Sequence, residues 1–281
     1  MAVGKAGARI VGTALIVLLI SGCSAFQRKQ DVPLDSLTAE DIFQRGEVAL
    51  DTEDKPDEAI RLFSEVERLY PYSSYAKRAL IMQAFAQHKA RKYEEARGTA
   101  QRFLDFYPGD EDAAYAQYLL ALSYYDQIDE VGRDQGLTFQ ALQSMREVIE
   151  LYPDSDYARS AMLKFDLAFD HLAAKEMEIG RYYLKKGHYA ASINRFRTVV
   201  QDFQTTTHTA EAMHRLVEAY LALGLTDEAQ TAGAILGFNY QSSPFYEESY
   251  KLLTDRGLEL KSRGDSWLAK IYRQVVRGEW L

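Results

Sequence analysis

The stretch Ala59 to Pro71, AIRLFSEVERLYP, opens on a small residue and closes on Tyr-Pro twelve positions later. Within it Ala59, Phe63 and Val66 recur at intervals of four and three, which places them on one buried stripe of a helix. The phrase returns at Ala96 to Pro108 (ARGTAQRFLDFYP) and Ala141 to Pro153 (ALQSMREVIELYP). Weaker copies follow at Ser192 to Gln204 (SINRFRTVVQDFQ) and Ala229 to Gln241 (AQTAGAILGFNYQ). All five keep the same twelve-residue span. A phrase of fixed length inside a drifting sequence marks a repeat array. The 47% hydrophobic and 26% charged composition is that of a folded chain. No alternating strand pattern bounded by turn residues interrupts the helical periodicity.

A second helix precedes each phrase. Thr38-Ala39-Glu40-Asp41 is a capping-box start, and Phe43, Glu47 and Leu50 continue one helical face. Lys55-Pro56-Asp57 then makes a turn, with Pro56 at the first position of the next helix. The pair resembles the tetratricopeptide repeat. In that family's frame Ala59 is the small residue where the two helices cross, Phe63 and Val66 are core positions, and Pro71 closes the unit. Gly46 falls one residue away from the family's first-helix glycine, and Phe43 stands for its tryptophan. One such pair cannot bury its stripe alone, so at least three must stack. The expectation is an all-α superhelical solenoid of five tetratricopeptide-like helix pairs with a C-terminal capping helix.

The intervals between copies locate the irregularities. Tyr70 to Tyr107 is 37 residues, but Tyr107 to Tyr152 is 45 and Tyr152 to Phe203 is 51. The first excess, eight, falls in the charged, glycine-bearing loop Asp126 to Gly136. The second, fourteen, has no loop to hold it. Asp156 to Lys186 reads as nearly continuous helix, and fourteen residues make almost four whole turns, so the buried face keeps its direction. An elongated helix of about 45 Å is predicted in the fourth repeat. Thr226 reads as a helix cap, and Ser243-Pro244 as the start of a capping helix reaching about Lys261. Beyond Arg263-Gly264, an amphipathic strip of Trp267, Leu268, Ile271, Tyr272 and Val275 either folds back on the cap or docks a partner.

The amino terminus is a separate object. Lys5 and Arg9 precede the apolar run Ile10 to Ile20, too short to span a bilayer, which needs about 20 residues, but of the length of a secretory signal. Ile20-Ser21-Gly22-Cys23 resembles the bacterial lipobox. That resemblance implies diacylglycerol and an N-acyl chain on Cys23, the single cysteine. Ser24, where an aspartate would favour inner-membrane retention, implies outer-membrane sorting. The expected division is a signal peptide (1–22), a lipid-anchored flexible tether (23–37), repeats one and two (38–108), repeat three with its insertion (109–153), repeats four and five (154–241), and the capping helix with the tail (242–281). The fourteen residues from Ser24 to Leu37 reach roughly 46 Å. Cleavage would move the net charge from −8 to −10, which argues against binding nucleic acid or anionic lipid through surface charge.

Chemistry is scarce. His88, His171, His188, His208 and His214 make no metal-binding spacing. There is no nucleophile elbow and no dinucleotide fingerprint. No catalytic or metal site is expected, and no cofactor beyond the lipid on Cys23. The nineteen tyrosines are the remaining oddity. Tyr72, Tyr75, Tyr115, Tyr118, Tyr124 and Tyr125 fall on or near first helices, where they read equally as packing or as a peptide groove.

Three phrases carry a closer resemblance: Arg68-Leu69-Tyr70-Pro71 with Tyr75, Arg133-Asp134-Gln135 in the insertion, and Tyr182-Tyr183 through Gly187, Tyr189 and Ala191 to Asn194-Arg195. They are similar to the BamD family of outer-membrane β-barrel assembly lipoproteins, over Cys23 to Tyr240. The resemblance implies a scaffold without catalysis, lipid-anchored on the periplasmic face of the outer membrane. It implies docking on the POTRA region of BamA through Arg195 and Asn194, association with other Bam lipoproteins, and reception of unfolded barrel proteins near Tyr70, Pro71 and Tyr75. The alternative is a periplasmic repeat protein coordinating envelope division or peptidoglycan synthesis.

Overall fold

A computed structural model describes residues 33–261 and 267–271. The signal peptide, Cys23, most of the tether and the tail beyond Ile271 lie outside those residues. Five helix pairs follow one another: α1 (Ala39–Glu47) with α2 (Pro56–Leu69), α3 (Ser74–Lys89) with α4 (Tyr93–Phe106), α5 (Ala113–Tyr125) with α6 (Gly136–Leu151), α7 (Asp156–Lys185) with α8 (Tyr189–Asp202), and α9 (Thr209–Ala222) with α10 (Thr226–Asn239). The cap α11 (Pro244–Thr254) and a short α12 (Trp267–Ile271) complete the described chain. Consecutive helices pack throughout the five pairs, and the first helix of each pair also touches the first helix of the next.

Local chemistry explains the helix starts. Thr38 Oγ1 accepts from the Asp41 amide, and the Asp41 carboxylate accepts from the Thr38 amide, closing the expected capping box. Ser73, Ser155 and Ser243 cap α3, α7 and α11. Each stands three residues after the aromatic that closes a phrase. Its amide donates to that aromatic's carbonyl, as Ser73 does to Tyr70 at 3.0 Å. The same turn recurs at Asp110 to Tyr107, Ser155 to Tyr152, Thr206 to Phe203 and Ser243 to Tyr240. Thr226 is not a cap. It is already inside α10, and Leu225 occupies the cap position without a side-chain bond.

The crossings are set by size. A Cβ on Gly46 would lie 2.6 Å from the Phe63 ring, and one on Gly180 would lie 2.5 Å from Phe196. Both phenylalanines are fully buried, each contributing roughly 1.5–3 kcal/mol relative to exposure. Elsewhere Ala84 meets Ala100, and Ala121 meets Met145. Just after Gly46, Val48–Thr52 forms a wide turn, with the Glu53 amide reaching Val48 O.

The long helix is present, 30 residues from Asp156 to Lys185, about 45 Å. Its first half packs on α6 through Ala161 and Phe165, and its second half on α8 through Met177 and Gly180. The insertion lies against it. Lys175 donates to Gly132 O at 2.6 Å, and Ile128 joins Phe165, Phe169 and Leu172 in one cluster. The two length anomalies are therefore one packed feature.

Two boundaries differ from expectation. The tether is not extended to its end: Leu34–Ser36 make a helical turn, and Leu34 and Leu37 pack on the first repeat. The cap helix stops at Thr254, because Gly257 with φ +70° reverses the chain. The stop signal was Arg256-Gly257, seven residues before Arg263-Gly264.

Candidate partner and substrate surfaces

Arg195 lies on α8 and reaches back to α7, its Nη1 3.0 Å from Glu176 Oε2 and 3.3 Å from Oε1. The guanidinium side chain is 43% exposed and Glu176 20%, so one face stays open to solvent. Asn194 beside it is exposed, and its carbonyl accepts from Thr198. A second charged group joins α7 to α9. Glu211 receives Arg181 at 3.0 Å and Arg215 at 3.3 Å, and Arg215 also reaches Glu218 at 2.7 Å. Sequence alone gave no sign that Arg195 has an internal partner, since Glu176 stands nineteen residues away on another helix.

The amino-terminal trio separates. Tyr70 is half-buried, and its hydroxyl donates to Leu37 O, tying the incoming chain to the first repeat. Tyr75 packs 5.5 Å from Phe43, and Arg78 lies 4.6 Å above the Phe43 ring and 5.7 Å from Tyr75. Burial, then the Glu40 carboxylate, raises the Tyr75 phenol above its usual value. Tyr70 and Tyr75 thus pack against the first core cluster. Pro71 faces solvent and lines a shallow cleft of about 560 Å³ with Tyr72, Lys77, Arg78, Tyr107 and Glu111. Tyr72 is fully exposed. Lys77 is held by Asp110 at 2.6 Å, which lowers the Asp110 carboxyl and raises the lysine.

Several of the other tyrosines pack between helices. Tyr157 of α7 stands 5.2 Å from Tyr115 and 5.6 Å from Tyr118, and Lys164 lies 4.7 Å over Tyr125. Burial first, then Tyr157, pushes the Tyr115 phenol up to about 12. Tyr124 carries Arg97 at 4.3 Å. The sequence could not separate packed from open tyrosines, because Tyr157 comes from the next repeat.

Two histidines serve the packing. His214, 2% exposed, shares a 2.8 Å hydrogen bond with Ser249 of the cap. His88 stands 3.1 Å from Asp126. Among the described residues no cluster of three or more metal-ligating side chains occurs, and no helix is long and apolar enough to cross a membrane.

Comparison with known proteins places this architecture. The profile of the YfiO family, outer membrane lipoproteins, matches residues 35–235, a stretch that takes in all five helix pairs almost to the end of α10. The chain belongs to the BamD family. It is 43% identical over 248 residues to the outer membrane protein assembly factor BamD of Caulobacter vibrioides, covering 88% of this chain and 81% of that one. The BamD of Rickettsia prowazekii is 39% identical over 246 residues, covering 87% and 96%. That of Neisseria meningitidis serogroup A is 28% identical over 203 residues, covering 69% and 76%. The family match includes Arg195, Tyr70 and the cleft around Pro71, and stops before the cap and tail.

Proposed function

We propose that this chain is a non-enzymatic scaffold of the outer-membrane protein assembly machinery, acting by binding alone. The observation that carries the reading is the BamD family match over nearly all of the five helix pairs. On this reading the protein is held at the periplasmic face of the outer membrane by acyl chains on Cys23. Several acyl chains hold essentially permanently, whereas one alone is reversible. The carboxy-terminal repeats dock the POTRA region of BamA through Arg195 and Asn194. Other Bam lipoproteins share the scaffold. Unfolded barrel proteins are received at the amino-terminal end, where the cleft of Pro71, Tyr72 and Tyr107 offers aromatic contact area at low entropy cost beside the Lys77 and Arg78 cations. Tyr70 and Tyr75 pack on the first core cluster next to it in the chain. Family membership favours this reading over a division or peptidoglycan factor.

Depletion followed by quantifying outer-membrane porins tests the role. Porin insertion should fall before other envelope functions do, and normal insertion would overturn the reading. Cys23→Ser with membrane fractionation tests the anchor: the variant should leave the outer-membrane fraction.

A further inference from the structure

Helices α7 and α8 approach closely where Gly180 meets the buried Phe196. Glu176 stands one turn before Gly180, and Arg195 immediately before Phe196, so the crossing brings their charges together across two helices. Glu176 engages only one nitrogen of its partner. Both of its oxygens accept from Arg195 Nη1, at 3.0 and 3.3 Å. Among the described residues Arg195 Nε and Nη2 have no hydrogen-bond partner. Arg68 shows the contrast. Its Nε and Nη2 both donate to Glu65, at 3.0 and 2.6 Å, so the flat two-donor edge of that guanidinium is already filled.

We infer that Glu176 is a positioning residue, which holds Arg195 by one nitrogen so that the open Nε–Nη2 edge takes a carboxylate of the docking partner side-on. This deepens the docking reading above and rests on it. A carboxylate is the matching group because its two oxygens fit two parallel N–H donors in one plane. A free, exposed arginine presents that edge in only a fraction of its rotamers, and binding must then freeze the rest. Glu176, the less exposed member of the pair, has already fixed the guanidinium against α7. Its charge also repels an incoming carboxylate, but the guanidinium lies between the two and the open face is wet, so that repulsion is screened. Orientation outweighs it.

Two measurements on the full chain test this. In protein with isotope-labelled arginine, nitrogen NMR reads the Arg195 guanidinium, its signals assigned by their loss in Arg195→Lys. The two Nη groups should be resolved in wild type, because Glu176 slows rotation about Nε–Cζ, and averaged in Glu176→Ala. Averaged signals in wild type would overturn the positioning role whether or not a partner binds. In calorimetry with purified POTRA domains, Glu176→Ala should bind at least about fivefold more weakly. Glu176→Gln keeps the acceptor and the length, and should stay within about twofold of wild type. Arg195→Lys keeps the charge but not the edge, and should lose at least about fivefold. Equal or tighter binding by Glu176→Ala would sink the role of Glu176, and undiminished binding by Arg195→Lys that of the edge. Undiminished binding by Arg195→Glu would instead remove the docking reading, and the positioning role with it.

Discussion

The first three repeats and the last two close their second helices on different residues, Tyr-Pro in one set and Phe-Gln or Tyr-Gln in the other, yet turn the chain in the same way. The closing aromatic sits at φ −133° and ψ 54° at Tyr70, and at φ −126° and ψ 39° at Phe203. In both halves its carbonyl accepts from the amide three residues on. Proline therefore marks the turn without causing it. The halves differ elsewhere. Between them lies the packed unit of the 126–135 insertion and the extra turns of α7, which no other pair has. After them come Arg195 with its internal partner, and Trp267 packed on Tyr220 and Arg197. Stacking is shared, and differentiation is carried by what is laid over it.

The strongest way to break that comparison is to remove one anchor from each half. Phe63→Ala and Phe196→Ala should each cost about 3–5 kcal/mol, measured by urea unfolding. Equal losses sharpen the claim of a shared stacking core, and a large loss in one half only would break it. Gly46→Ala and Gly180→Ala insert a methyl into the same two crossings, and should each cost about 1–3 kcal/mol. Shrinking the facing ring, as in Gly180→Ala with Phe196→Leu, should recover part of the loss.

Each half also buries one histidine, so acid should weaken both. Burial holds His88 and His214 below their usual value of 6.5, against the pull of Asp126 on one and of Glu218 and Glu248 on the other. Arg215 works with burial at His214. The unfolded chain then takes up protons first as pH falls. The contribution of each neutral histidine is full above about 6.5 and is lost between there and its lower folded value. His88→Asn and His214→Gln should each flatten the acid limb of a stability–pH curve as pH falls below about 6.5. An unchanged limb would contradict the buried-neutral assignment. The smallest effect belongs to the residue that first distinguished the halves. Pro153→Gln should cost under about 1 kcal/mol, mainly through a looser unfolded chain. A larger loss would make proline a cause after all.

Much of this was legible in the sequence because helical stacking is periodic. The phrase of fixed twelve-position interval, the capping box at Thr38, Pro56 at a first position and the long helix all follow from spacing or local chemistry, and all are present. What was not legible depends on residues far apart. Lys175 meeting Gly132, Arg195 meeting Glu176, and Tyr157 wedged between Tyr115 and Tyr118 are contacts between elements whose separation no period encodes. The cap's early stop at Gly257 was readable and was overlooked, since Arg263-Gly264 offered the same signal later. The reception role of Tyr70 and Tyr75 came from the family resemblance, and spacing did not show that both pack against the first core cluster.

Binding of purified POTRA domains by titration calorimetry tests the docking half most directly, using wild type, Arg195→Glu, and Arg195→Glu with Glu176→Arg. The double variant restores the internal pair with its charges exchanged, so it separates loss of fold from loss of contact. The account predicts firm binding by wild type, a loss of at least about tenfold for Arg195→Glu through like-charge repulsion at a partly buried pair, and no recovery in the double variant. Undiminished binding by Arg195→Glu, or full recovery in the double variant, would contradict it.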